Sequence, residues 1–202
     1  MKSTRPELSR EFVAVHKRRR IIDAMAELSA EQGYEATKIA DVVRRAGVAR
    51  KTLYDNFDGK EEVFLAAFDS AIDELAAQIE AACEEAGGEW ADRVAAGLRA
   101  FLTFVVEKPA AARMCLIEAV SAAPAASTRY DEAVQRFVEL LRRNAPASKG
   151  LPDTIEETLV GGVAWILHQQ IRRGEAARAL DLMPELTDFV LSPYQGVAEL
   201  KR

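Results

Sequence analysis

The sequence predicts an all-α protein in which an N-terminal unit of three helices is joined by one long helix to a larger helical body. Three observations carry this reading. Apolar residues recur at helical spacing along almost every segment. Proline is scarce, with 7 in 202 residues. The run IADVVRRAGVARKTLYDNF, from Ile39 to Phe57, reads as two short helices about a tight turn that contains glycine.

Residues 1–16 are read as a flexible arm, and the opening MKSTRPELSREF holds no apolar core of the kind a secretory leader needs. The basic run Lys17 to Arg20 then opens a helix with Ile21, Met25 and Leu28 as its stripe; Gly33 ends it, and Thr37 can cap the next. In that next helix Ile39, Ala40 and Val43 share a side. Gly47 stands where the chain must turn sharply and a side chain would be strained. Val48, Leu53 and Phe57 face back toward the first helices, leaving Arg50, Lys51, Thr52, Tyr54 and Asn56 outward. These residue types reach phosphates and base edges when a helix enters a major groove, so the pattern is that of a helix-turn-helix. The competing reading is a plain helical hairpin with a solvated charged face.

Asp58, followed by Glu61, starts a long helix to about Glu85 that carries Val63, Phe64, Ala67, Phe68, Ala71, Ile72, Leu75 and Ile79 at helical spacing. Its first turns pack on the three-helix unit and its later turns join the larger body, which makes it the mechanical link. Gly87 and Gly88 break the pattern, and residues 89–107 form an amphipathic helix with Trp90, Val94, Leu98, Phe101 and Val105 on one face. Pro109 starts the next helix. Residues 110–122 are apolar nearly all round, as a helix surrounded by others would be. Pro124 begins another, with Tyr130, Val134, Phe137 and Leu141 aligned, ending near Pro146. Over residues 153–173, Ile155, Leu159, Gly162 and Ile166 form one stripe and Val160, Val163, Leu167 and Ile171 a second, which implies two buried faces. In residues 181–192, Leu182, Leu186, Phe189 and Val190 repeat before Pro193.

Net charge becomes informative once it is divided. Through Lys60 there are 13 basic against 9 acidic residues; the remainder has 14 against 23, and the whole chain is −5. A cationic front and an acidic remainder suit a protein whose basic groups meet DNA on one surface. No run reaches the roughly 18 uninterrupted apolar residues of a membrane span, so no membrane partner is expected and a cytoplasmic location is. Cys83 and Cys115 lack metal-type spacing and are read as free thiols. No metal or cofactor is called for. An enzyme finds no support: there is no phosphate-binding Gly loop and no nucleophile elbow, and the only histidines are His16 and His168.

The run GYEATKIADVVRRAGVARKTLYDNFDGKEEVFLAAFD, from Gly33 to Asp69, resembles the N-terminal DNA-binding region of the TetR/AcrR family of transcriptional regulators. The likeness is dense over about residues 17–69. The Gly-Tyr pair, the Thr before Ile-Ala, the Ala-Gly-Val turn, Thr-x-Tyr, Phe57 and Lys60-Glu61-Glu62 occur in order. It implies a helix-turn-helix domain at 17–62 and a ligand-binding and dimerisation domain at 63–202. It also implies that Thr37, Tyr54 and Lys60 contact phosphates and that Arg50, Lys51 and Thr52 lie closest to the bases, with Lys38 and Asn56 beside them. Asp55 departs from the pattern, because a carboxylate beside phosphate is repelled; it is expected to point away from the duplex.

By the same resemblance, the last two long helices pair across a twofold axis, with Ile155, Leu159, Gly162, Ile166, Leu186, Phe189 and Val190 at the interface of a homodimer that reads a palindromic operator. The plainer alternative is packing within the chain. The second domain of this family encloses a ligand cavity. Phe101, Phe104, Met114, Phe137 and Trp165 are candidates to line it, with Glu118 and His168 as its rare polar groups, although such residues also serve as ordinary core. The implied effector is an apolar or amphipathic small molecule. Glu118 needs a partner if buried; Arg113 is available but lies five residues away, on a different side of an α-helix. The function expected is a ligand-released repressor. The alternative is a helical ligand- or partner-binding module that never touches DNA.

Overall fold

The structure, a computed structural model, describes residues 5–143, 145–146 and 151–199. Ten α-helices follow one another among these residues with no strand: α1 (Arg5–Gln32), α2 (Ile39–Ala46), α3 (Arg50–Tyr54), α4 (Lys60–Ala86), α5 (Trp90–Glu107), α6 (Pro109–Arg113), α7 (Ala119–Ala122), α8 (Pro124–Arg142), α9 (Ile155–Arg172) and α10 (Met183–Glu199). A π-helical turn, Met114–Glu118, separates α6 from α7, and a 3₁₀ segment, Ala176–Leu182, precedes α10.

The expected helices are present, with three corrections of extent. The first helix begins at Arg5 rather than Lys17, so the segment read as a flexible arm is helical from there. Pro6 sits in the first turn, where its missing N–H costs no helical bond, and no glycine interrupts the chain before Gly33. α4 starts at Lys60, not Asp58; Glu62 reaches back to accept from the Asp58 N–H, which is one half of a capping box, while the N-cap is Gly59 and supplies no side-chain bond. α10 runs through Pro193 instead of stopping before it. Leu186, Val190 and Tyr194 are buried on either side of the proline, and the Tyr194 hydroxyl donates to Glu156 at 2.8 Å, so packing outweighs the missing backbone bond.

α2 and α3 pack on α1 through Val42, Ala46 and Leu53, which meet Ile21, Met25 and Leu28. α4 shares this core at Val63, Phe64 and Phe68, then continues beside α5. α8, α9 and α10 complete the body. Glu156, buried in α9, is satisfied by the Tyr194 hydroxyl and by Arg142 at 3.5 Å, which ties these three helices together. Burial, and then the bond to Glu156, push the Tyr194 hydroxyl pKa up.

Candidate functional site

Gly47 closes α2 in the left-handed region, at φ 60, and its carbonyl accepts from the Arg20 guanidinium at 3.2 Å. A Cβ there would stand 2.5 Å from that guanidinium, whose flexible end can shift aside, so it is the left-handed backbone that favours glycine at the turn. Leu53, fully buried, pins α3 against the core. Arg18 lies 4.3 Å from the Phe57 ring centroid and donates to the Asn56 carbonyl at 3.2 Å. Arg45 clamps α2 to α1 through Glu27 and Glu31 at 2.9 and 2.7 Å. The bond from Arg45 lowers the pKa of Glu31. Sequence reasoning missed these braces, because each joins residues on different elements.

The outward surface of this unit presents Lys38, Arg50, Lys51 and Tyr54, all exposed, with Arg50 5.6 Å from the Tyr54 ring centroid. Thr52 and Asn56 are half-buried, and Asp55 is exposed at the end of α3. Three expected contacts are engaged elsewhere. Thr37 is 1 % exposed and donates to the Gly33 carbonyl at 2.8 Å; the N-cap of α2 is Lys38, not Thr37. Its hydroxyl therefore seals the end of α1 and does not face a duplex. The Asn56 amide donates to the Thr52 carbonyl at 2.7 Å. The Lys60 ammonium donates to the Tyr34 and Glu35 carbonyls at 2.9 and 3.3 Å and sits 4.0 Å from the Tyr34 ring centroid. Only its remaining N–H is left for a phosphate.

A cavity of about 450 Å³ lies among α4, α5, α8 and α9. Phe101, Phe104 and Phe137 line it, as the sequence suggested. Four other candidates do not. Met114 is fully buried in the packed core, and Trp165 is 61 % exposed on the outer face of α9. The His168 ring nitrogen Nδ1 bonds the Leu116 carbonyl at 2.8 Å. Glu118 accepts from the Tyr34 N–H at 3.1 Å and lies 3.9 Å from Arg113. That last pairing reverses the α-helical expectation. A π-turn aligns residues five apart, so the Met114–Glu118 turn brings Arg113 and Glu118 to one side. The periodicity missed Trp90, Arg93 and Tyr130 as lining residues.

The expected interface side chains are largely internal. Leu159, Leu186 and Val190 are buried within the chain, while Ile155, Ile166 and Phe189 pack against its core. Gly162 faces the Phe189 ring, which would lie 2.7 Å from an added Cβ. Both apolar stripes of α9 are thus used inside the body. Thr158, Gly161 and Trp165 form the third, outward face.

An all-helical body with an internal apolar cavity, carrying a helix-turn-helix whose short second helix is cationic outside, defines the class. Residues 21–67 match the family model described as bacterial regulatory proteins, tetR family. The match covers the last turns of α1, all of α2 and α3, and the first turns of α4. The chain is 44% identical over 66 residues to the HTH-type transcriptional repressor ComR of Escherichia coli (strain K12), a match covering 32% of this chain and 31% of that one. The chain thus matches about a third of that relative's length. Among solved structures it resembles the fatty acid degradation regulator FadR from Bacillus halodurans, with a TM-score of 0.77 at 17% identity, covering 87% of this chain and 94% of that one. FadR from Bacillus subtilis, solved in complex with stearoyl-CoA, gives 0.74 at 16% identity, covering 87% and 98%. At such identities the likeness shows the fold.

Proposed function

We propose that this chain is a sequence-specific DNA-binding transcriptional regulator that acts as a homodimer and is released from a palindromic operator by a small apolar or amphipathic effector. The observation that carries the reading is α3: its one fully buried residue, Leu53, docks it, and Arg50, Lys51 and Tyr54 project from the opposite side. Arg50, Lys51 and Thr52 lie nearest the bases; Lys38, Tyr54 and the remaining N–H of Lys60 meet phosphates. Residues 17–62 form the DNA-binding domain and 63–202 the effector and dimerisation domain. The dimer face is the outward surface of α9 at Thr158, Gly161 and Trp165, joined by α10.

The effector occupies the cavity and shifts α4, which changes the spacing of the two α3 helices. It can do so only by binding the released state more tightly than the DNA-competent one. The relatives matched are regulators, and the chain's role is regulatory rather than catalytic, in the cytoplasm. No described helix is long and apolar enough to cross a membrane.

Sequencing the DNA that the purified protein retains from random duplex, followed by a salt titration on the enriched site, tests this. Palindromic enrichment and steep weakening with salt are expected. Absence of duplex affinity at any salt would leave the binding-module reading standing instead.

A further inference from the structure

α1 outruns the unit it supports. From Ile21 onward its stripe of Ile21, Ala24, Met25 and Leu28 is buried, yet residues 12–20, FVAVHKRRR, are exposed without a break. That stretch rises roughly 13 Å along the helix axis. It carries Lys17, Arg18, Arg19 and Arg20 and no carboxylate, beside the exposed apolar side chains Phe12, Val13 and Val15. The buried stripe continues into it at Lys17 and Ala14, four and seven residues before Ile21, on the side of α1 against which α2 and α3 pack.

Three of these cations are already engaged. Arg18 donates to the Asn56 carbonyl and lies over the Phe57 ring, just past the end of α3, while Arg20 donates to the Gly47 carbonyl, just before its start. Arg19 is turned to Asp23 at 2.9 Å and to Glu74 of α4 at 3.8 Å. Lys17 meets no acceptor among the described residues. Arg18 and Arg20 thus fix α1 across both ends of α3, and Lys17 stands next to them, on the α3 side, with its ammonium uncommitted. α3 has 5 residues and is roughly 7.5 Å long, against a major groove about 12 Å wide. With α3 in the groove, side chains beside it face the phosphate strands that border it.

We propose that Lys17 is a further DNA contact of this chain: its ammonium meets a phosphate bordering the groove that α3 enters, and the open stripe of α1 lies along that strand. This rests on the reading of α3 as the recognition helix and extends the footprint beyond the helix-turn-helix. Charge selects the occupant, because four cations without a carboxylate suit a polyanion. Contiguity with α3 makes that polyanion the same duplex.

The full chain is titrated with salt on duplex carrying the enriched palindrome and on random duplex. Each phosphate contact contributes about 0.9 to the slope of log K against log salt, so Lys17→Ala should lower the slope by about 1.8 for a dimer, on both duplexes alike. Lys17→Arg should keep it. Arg19→Ala removes the same charge two residues away, from a side chain turned to α4, and should leave the slope where it is. An unchanged slope in Lys17→Ala, or an equal fall in Arg19→Ala, overturns the contact while the α3 reading survives. If the unmodified protein binds neither duplex at any salt, the DNA-binding reading itself fails and this contact with it. Acetylation of the unmodified protein, read by peptide mass spectrometry, needs no variant: duplex should shield Lys17, and equal labelling with and without duplex overturns the contact.

Discussion

Glu118 accepts a hydrogen bond at 3.1 Å from the backbone N–H of Tyr34, 84 residues earlier in the chain. The same Tyr34 accepts from Lys60 through its carbonyl, and its ring stacks edge-on against Phe64 at 4.8 Å. One residue thus joins the π-turn near the cavity, the loop before α2 and the start of α4. Removing the carboxylate with Glu118→Ala leaves the Tyr34 N–H without its acceptor and should lower stability by about 1–3 kcal/mol. Glu118→Gln keeps an acceptor and should lose less. Urea unfolding of both variants measures this, and equal losses would show that the hydrogen bond is not what the carboxylate contributes.

Lys51, Thr52 and Tyr54 are expected to separate in their effects on DNA. Tyr54→Phe should weaken binding to all duplexes alike, whereas Lys51→Ala and Thr52→Ala should mainly change preference among sequences, by about 1–3 kcal/mol at the affected base. Competition binding against single-base variants of the enriched site gives the answer. The reverse pattern would exchange the assigned roles.

Lys60 differs from these because its ammonium already holds Tyr34 and Glu35. Lys60→Ala should weaken DNA binding and also lower stability by roughly 1 kcal/mol, from the lost stacking on Tyr34 and its hydrogen bonds. An unchanged melting temperature would mean that these contacts contribute nothing.

Gly161 and Gly162 are neighbours with opposite surroundings. A Cβ at Gly162 would meet the Phe189 ring at 2.7 Å, whereas one at Gly161 meets nothing within 4 Å. Gly162→Ala should therefore destabilise the fold by about 1–3 kcal/mol through overpacking. Gly161→Ala should raise helix stability by up to about 1 kcal/mol. A larger side chain, in Gly161→Leu, should dissociate the dimer without unfolding the subunit, which sedimentation velocity reads directly. A Gly161→Leu dimer as tight as the original would place the subunit contact on another face.

Cys115 titrates far from the ordinary thiol range. Burial, and then the nearby Asp69 carboxylate, push its pKa up to about 12. The folded state holds this proton more tightly than the unfolded one, so the associated stability is complete below the ordinary thiol pKa and is lost as pH rises toward about 12. Unfolding midpoints measured from neutral to alkaline pH should fall, and Cys115→Ala should flatten that fall. Burial also raises Cys83, but Cys83 is only half-buried and lines the cavity, so alkylation should reach it first and an occupied cavity should slow the reaction.

The helices, the Gly47 turn and the outward cations of α3 were legible because they depend on neighbours within a few residues: apolar spacing, a glycine where φ is positive, and hydroxyl and basic residues around one buried leucine. The flexible-arm reading failed on a local point as well, since nothing before Lys17 stops a helix except a proline that its first turn tolerates.

What the chain's own order determined was which segments are helical and which short helix carries the cations, because backbone hydrogen bonds and turn conformations are local. Tertiary structure alone decided which side chains were still available. Thr37 and Lys60 meet carbonyls of the α1–α2 loop, Trp165 faces outward while Leu159 faces inward, and Arg113 meets Glu118 only across a π-turn. The cavity is decided the same way. Phe101, Phe104 and Phe137 recur at helical spacing whether they close a core or border a space, and which they do depends on how far apart four separate helices come to rest.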